Sequence, residues 1–277
     1  MRVEFAKLHG IGNDVVIVDA REQQLDLSGE QIRRFGDRQR GVGFDQLLCL
    51  DRAPDDTVDF GLRIFNSDGG RAQQCGNGTR CLGLYIQRLG LSSKNEFLIR
   101  SSGRTLKVRA VGPEQFSCDM AVPVFDPQRI PITASASADG RYRLTSDSGD
   151  FDVTAVSMGN PHIVMEVPDV ANAQVATIGA ELVHHDALPE GANVGFMQVL
   201  RRDRIALRVY ERGVGETLAC GTGACAAVAA GQVLGLLDSP VSVALPGGNL
   251  TISWGGGTEP LWMSGPAEWS FEGSIYL

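Results

Sequence analysis

Cys75-Gly76-Asn77-Gly78 and Cys220-Gly221-Thr222-Gly223 decide the fold, because one C-G-x-G tetrapeptide stands twice in a single chain. At the same offset Arg63-Ile64-Phe65-Asn66 aligns with Arg208-Val209-Tyr210-Glu211, Gly70 with Gly215, and Leu89-Gly90-Leu91 with Leu234-Gly235-Leu236. Further upstream the offset widens slightly. Gly12-Asn13 ahead of Val15-Val16-Ile17-Val18 faces Gly159-Asn160 ahead of His162-Ile163-Val164-Met165, and residues 43–48 face 195–200. Chance likeness between glycine-rich loops would explain one such block. Blocks repeated in the same order point to a duplicated domain.

The residue pattern between the blocks reads the same way twice. In the first half, strands are predicted at 3–8, 14–19, 47–50 and 59–65, with a short helix opened by Ser28 and completed as a capping box by Gln31. The apolar run 76–89 reads as a buried helix stopped by Gly90. In the second half, strands are predicted at 151–156, 162–167, 195–200 and 205–211, with helices at 174–184 and 221–234. Ala224, Ala226, Ala227, Ala229 and Ala230 leave the last helix without bulk, which permits close packing inside a sheet. The expectation is an α/β chain of the α+β kind, with two pseudo-symmetric duplicated lobes, each a mostly antiparallel sheet wrapped around a central helix. Residues 1–119 with the returning strand of 266–277 make the N-terminal lobe and 120–265 the C-terminal lobe, with the active site expected in the cleft between them.

Composition narrows the function. The chain has 277 residues, 43% hydrophobic and 21% charged, which excludes a disordered or fibrous protein. A net charge of −8 leaves no basic face for nucleic acid. No stretch of about 18 apolar residues occurs, and Arg2, Glu4 and Lys7 stand where a secretory leader would be apolar, so no membrane partner and a cytoplasmic location are expected. Lys7, Lys94 and Lys107 are the only lysines, and none lies in a recognisable pyridoxal phosphate loop. No cofactor is expected. The six cysteines include no C-x-x-C pair and the four histidines no H-E-x-x-H, so no metal is expected either. Cys49, Cys81, Cys118 and Cys225 read as small buried hydrophobes.

Each remaining cysteine stands just before a Gly-x-Gly that starts a helix. Free backbone N–H groups and the positive end of the dipole there lower a thiol pKa and attract an anion. Two such sites brought together would hold a carboxylate between two helix ends, with a sulfur on either side of the carbon that bears it. That arrangement suits a two-base racemase or epimerase, in which a thiolate takes the Cα proton and the other thiol returns one to the opposite face. Without a cofactor, backbone donors must hold the developing charge, at about 3 to 4 kcal/mol per preorganised donor in a dry site.

The blocks Lys7-Leu8-His9-Gly10-Ile11-Gly12-Asn13-Asp14, Phe65-Asn66-Ser67-Asp68-Gly69, Gln74 to Cys81, Gly159-Asn160-Pro161-His162, Glu211 to Thr217 and Ala219 to Ala224 resemble those of diaminopimelate epimerases. The resemblance spans essentially the whole chain. It implies a cofactor-independent enzyme of lysine and cell-wall precursor synthesis that interconverts LL- and meso-2,6-diaminopimelate, a small amino-acid substrate, and works as a homodimer. By that resemblance Cys75 and Cys220 are the catalytic thiols, assisted by His162 and Glu211. The backbone at Gly76-Asn77 and Gly221-Thr222 would bind the reacting carboxylate. Asn13, Gln46, Asn66, Asn160, Asn193 and Arg212 would hold the rest of the substrate. Thr222 stands where many relatives have serine, with only its N–H asked to act, and Phe271 where some have a tyrosine at the dimer interface. Two other readings stay open: a two-thiol racemase of another amino acid, and a non-enzymatic binding protein stapled by a disulfide.

Overall fold

The computed structural model describes every residue except 23–24 and 73–75, so Cys75 lies outside the described residues. The chain divides into two compact units, one of Met1–Asp119 with Ser264–Leu277 and one of Met120–Met263.

The first unit begins with β1 (Arg2–Gly10), β2 (Asn13–Asp19), α1 (Gly29–Gly36), β3 (Gln46–Arg52), β4 (Phe60–Asn66) and the short β5 (Arg71–Ala72). Then come α2 (Gly76–Arg88), β6 (Glu96–Ser101), β7 (Arg104–Gly112) and β8 (Gln115–Asp119). Ile11 and Gly12, both at positive φ, turn β1 back onto β2. The capping box forms as read: Ser28 Oγ accepts from the Gln31 N–H at 3.2 Å, and Gln31 Oε1 accepts from the Ser28 N–H at 2.9 Å. β2 pairs with β3 in parallel across α1, β3 with β4 antiparallel, β4 with β6 in parallel, and β6, β7 and β8 form an antiparallel meander. α2 packs against β1, β2, β3, β7 and β8, and every residue from Gly76 to Ile86 is buried.

That enclosure makes Gly83 a contact point. A Cβ there would lie 2.6 Å from the Phe116 ring and 2.9 Å from Val108, so the helix approaches the meander as closely as only glycine allows. Gly83→Ala is expected to destabilise the unit by about 1 to 3 kcal/mol through overpacking. Urea unfolding of the variant checks this, and an unchanged midpoint would refute it.

The second unit holds β9 (Tyr142–Ser146), β10 (Gly149–Ser157), β11 (Pro161–Glu166), α3 (Val175–Leu182), β12 (Asn193–Arg201), β13 (Arg204–Glu211) and β14 (Gly215–Thr217). They are followed by α4 (Gly221–Val233), β15 (Val241–Leu245), β16 (Gly248–Ser253) and β17 (Trp262–Pro266); β18 (Glu268–Tyr276) ends the chain. β10 pairs antiparallel with β11, β11 in parallel with β12 across α3, β12 antiparallel with β13, β13 in parallel with β15, and β15 antiparallel with β16. This is the pairing order of the first unit, step for step. β9 lies on the outer edge of β10 as β18 does on β1.

The helices match as well. Both α2 and α4 have 13 residues, and each ends in a glycine at positive φ, Gly90 and Gly235, followed by a leucine whose N–H reaches back to the last turn (Leu91 to Ile86, Leu236 to Gly231). These are Schellman ends, which glycine makes without strain. The five alanines of α4 are fully buried, and the helix packs against β10, β11, β12, β13 and β16.

The chain returns to the first unit inside β17, at Ser264, where Ser264 Oγ donates to Ser117 Oγ at 2.9 Å. Nine of the described strands were not anticipated from sequence: β5, β6, β7 and β8 in the first half and β9, β14, β15, β16 and β17 in the second.

Candidate active site

In the second unit three adjacent strands bring their polar ends to the start of α4. His162 on β11 stands opposite Asn193, the first residue of β12, and Val194 opposite Tyr210, so Glu211 closes β13 at the same edge. Asn160 sits in the turn that enters β11, and Cys220 is the N-cap of α4.

Hydrogen bonds tie these residues together. Cys220 Sγ accepts from the Gly223 N–H at 3.3 Å and lies 3.6 Å from Thr222 Oγ1. Asn160 Nδ2 reaches Thr222 Oγ1 at 3.5 Å, and Asn160 Oδ1 contacts His162 Nε2 at 3.2 Å. The Arg212 N–H donates to Asn193 Oδ1 at 2.8 Å, while the Arg212 guanidinium donates to the carbonyls of Glu190 and Gly191. Thr217 Oγ1 donates to Glu211 Oε1 at 2.5 Å. The helix ladder opens with Ala224 N–H to Cys220 C=O, so the N–H groups of Gly221 and Thr222 precede it at the positive end of the dipole.

The electrostatics correct one expectation. A helix N-terminus lowers a thiol pKa, and the Gly223 N–H does act in that direction. Burial acts more strongly the other way, the Glu211 carboxylate adds to it, and the Cys220 thiol is pushed well above its ordinary range. Cys220 is therefore held as a thiol. His162, 1% exposed, is lowered to about 3 by burial and by the Arg212 charge, so its ring is neutral across the physiological range.

The first unit gathers its own set at the corresponding strand ends. Asn13 opens β2, Gln46 opens β3 and stands opposite Asn66, which closes β4, while Gly76 and Asn77 open α2. Asn13 Nδ2 donates to Asp45 Oδ2 at 2.7 Å and to Gln46 Oε1 at 3.2 Å. A Cβ on Gly10 would come within 3.3 Å of Asn77 Cβ, so the end of β1 lies directly on the first turn of α2. Arg80, fully buried, donates to Asn77 Oδ1 at 2.9 Å and fixes that side chain.

An ionic group backs these amides. Burial would raise the Asp14 carboxyl, but Arg38 and Lys7 outweigh it and hold Asp14 at about 2. Burial and the Asp14 charge push Asp45 up.

Among the described residues, each unit brings anticipated polar residues to its strand ends beside the start of a helix, while Cys75 lies outside the described residues. Asp45 and Thr217 were not singled out from sequence. Thr217 could have been found from strand alternation, because β14 sets it opposite Val209, whose side chain shares a face with Glu211. Thr222 contributes its hydroxyl and not only its N–H. Cys49, Cys81, Cys118 and Cys225 are all buried, and burial pushes the Cys49 thiol up to about 12.

Several solved structures share this fold. A phenazine biosynthesis protein of the PhzF family from Bacillus anthracis superposes with a TM-score of 0.71 at 15% identity, covering 100% of both chains. A hydroxyproline epimerase from Agrobacterium vitis, with bound trans-4-hydroxy-L-proline, gives 0.70 at 14% identity over 99% of this chain and 91% of that one. A probable proline racemase from Agrobacterium radiobacter gives 0.72 at 14% identity over 99% and 93%. At these identities the likeness is one of fold. The sequence profile described as diaminopimelate epimerase matches residues 5–125 and 154–270, which include every candidate residue named above. The chain belongs to the diaminopimelate epimerase family.

Proposed function

We propose that the chain is a cofactor-independent epimerase that interconverts LL- and meso-2,6-diaminopimelate, with Cys75 and Cys220 as its two bases. One observation carries this reading: Cys220 caps a buried helix, with a backbone N–H on its sulfur and a carboxylate beside it. A group so placed exchanges a proton without leaving its position. In this scheme Cys220 enters the cycle as the acid. The thiolate of Cys75 takes the Cα proton, Cys220 delivers its own to the opposite face, and the reverse reaction exchanges the roles.

The N–H groups of Gly76, Asn77, Gly221 and Thr222 would hold the charge that develops on the substrate carboxylate. Asn13, Gln46, Asn66, Asn160, Asn193 and Arg212 would bind the ammonium and carboxylate groups, including those of the centre that does not react. Amides and a guanidinium read both groups without introducing a third base. Neutral His162 and ionised Glu211 would assist the thiols. Family membership and this second set of amino-acid ligands favour diaminopimelate over a substrate with a single amino-acid group. A cytoplasmic homodimer supplying lysine and peptidoglycan precursors completes the proposal. Phe271 and Tyr276, exposed on β18, are available to the dimer contact.

The test is deuterium incorporation at Cα of LL-diaminopimelate in heavy water, with the protein reduced and no cofactor added, followed by chiral separation. Exchange with meso product supports the proposal. Exchange confined to other amino acids, such as proline or hydroxyproline, would move the chain to a sister racemase, and no exchange in either would end the reading.

A further inference from the structure

Glu211 accepts from Thr217, whose Oγ1 donates to its Oε1 at 2.5 Å, and its carboxylate lies close enough to Cys220 to help push that thiol up. Thr217 lies on β14, a three-residue strand held to β13 by the pairs Val209 with Thr217, Tyr210 with Glu216 and Glu211 with Gly215. Arg208 clamps the outer side of that pair by donating to both oxygens of Glu216, at 2.6 and 2.9 Å. β14 is therefore a fixed platform, and its last side chain points at Glu211.

We infer that Thr217 is a positioning residue: its hydroxyl fixes the Glu211 carboxylate as the acceptor that holds the Cys220 proton in line. This rests on the epimerase reading of the site. In the resting pair the proton is on sulfur and the negative charge on Glu211. When Cys220 protonates a substrate carbanion, the S–H bond breaks, a C–H bond forms and sulfur takes the charge. Two anions then face each other, and the Thr217 donor disperses the charge on one of them. Among the described residues of this unit, the titratable or charged groups near this end include His162 on β11, neutral by burial, Arg212, next in the chain, with His184 and Glu190 beyond it, and Glu216, neutralised by Arg208. β12 brings none here, and Glu181 on α3 is engaged by Ser146 and Ser148.

Thr217→Val keeps shape and removes the donor. The Glu δ-carbon shifts are followed by NMR against pH, with the Glu211 signal assigned by its loss in Glu211→Gln. Loss of a hydrogen bond to an ionised group is expected to raise the Glu211 midpoint by about one pH unit, and Thr217→Ser to restore it. On substrate, kcat should fall about ten- to a hundredfold through misplacement of the acid, with KM within about twofold. An identical Glu211 midpoint in wild type and Thr217→Val would overturn the inference, and Thr217→Ala carries the same expectation should the valine variant not fold. Because the carbon titration needs no substrate, it decides the role of Thr217 even if the protein epimerises nothing. Activity on diaminopimelate together with an unmoved midpoint would sink this inference alone.

Discussion

Cys220→Ala is expected to lower Cα deuterium incorporation by at least about a thousandfold, because the variant has no group that can give or take the proton on its face of the substrate carbon. The residual rate should not respond to pH around any thiol. Losing the sulfur also removes the acceptor for the Gly223 N–H, a helix N-cap interaction whose loss costs about 1 kcal/mol. That is too little to unfold a unit built around so completely buried a helix, so circular dichroism should be unchanged. Cys220→Ser separates the two effects, since its oxygen can accept from Gly223 while its proton is held far too tightly for catalysis. Cys75→Ala carries the same expectation for activity. Turnover within tenfold of wild type in either alanine variant would show that the proton takes another route.

Acid should destabilise the fold through His162. Its folded pKa, about 3, lies below the ordinary 6.5, so as pH falls the unfolded chain takes the proton first. The stabilisation from keeping the ring neutral is fully present above about pH 6.5 and is lost progressively as pH falls toward 3. Between pH 7.5 and 5.0 that amounts to about 2 kcal/mol, from about 1.4 kcal/mol per pH unit below 6.5. Asp14, held at about 2 by Arg38 and Lys7, acts in the same direction but only below its own unfolded value near 3.8. Urea unfolding at the two pH values isolates the histidine. Wild type should lose about 2 kcal/mol more than His162→Gln, whose amide can still donate to Asn160 Oδ1. Equal losses would mean that His162 is protonated as readily in the folded protein as in the unfolded chain.

The repeat could be read in the sequence because its strongest constraints are local. A cysteine before Gly-x-Gly, a helix of small residues and a glycine at its end each answer to a backbone requirement that recurs at Gly90 and Gly235. The Ser28 and Gln31 box is equally local. The β6–β7 hairpin was overlooked although its signal is ordinary: Phe97 and Ile99 alternate against Leu106 and Val108 around Ser102 and Gly103, both at positive φ. β6 and β7, of six and nine residues, alternate buried with more exposed positions and carry no long apolar run.

At the candidate site, residue types were legible and electrostatics were not. The position of Cys220 before α4 follows from the motif. Its protonation state follows from burial and from Glu211, a residue brought near only by the β13–β14 turn. Likewise the Thr217 hydroxyl matters through a strand register that no single window of sequence contains.

The closing strand carries a consequence for synthesis. β18 pairs with β1 along nearly its whole length, and the chain ends meet, with the Met1 amino group donating to the Leu277 carbonyl at 2.7 Å. The second unit is thus an insertion within the first. On the ribosome β1 emerges before β18 and must wait, one edge unpaired, until β18 leaves the exit tunnel. The unit that starts first is completed last, so a nascent chain lacking only its C-terminal strand already has a closed second unit and an open, aggregation-prone edge on the first.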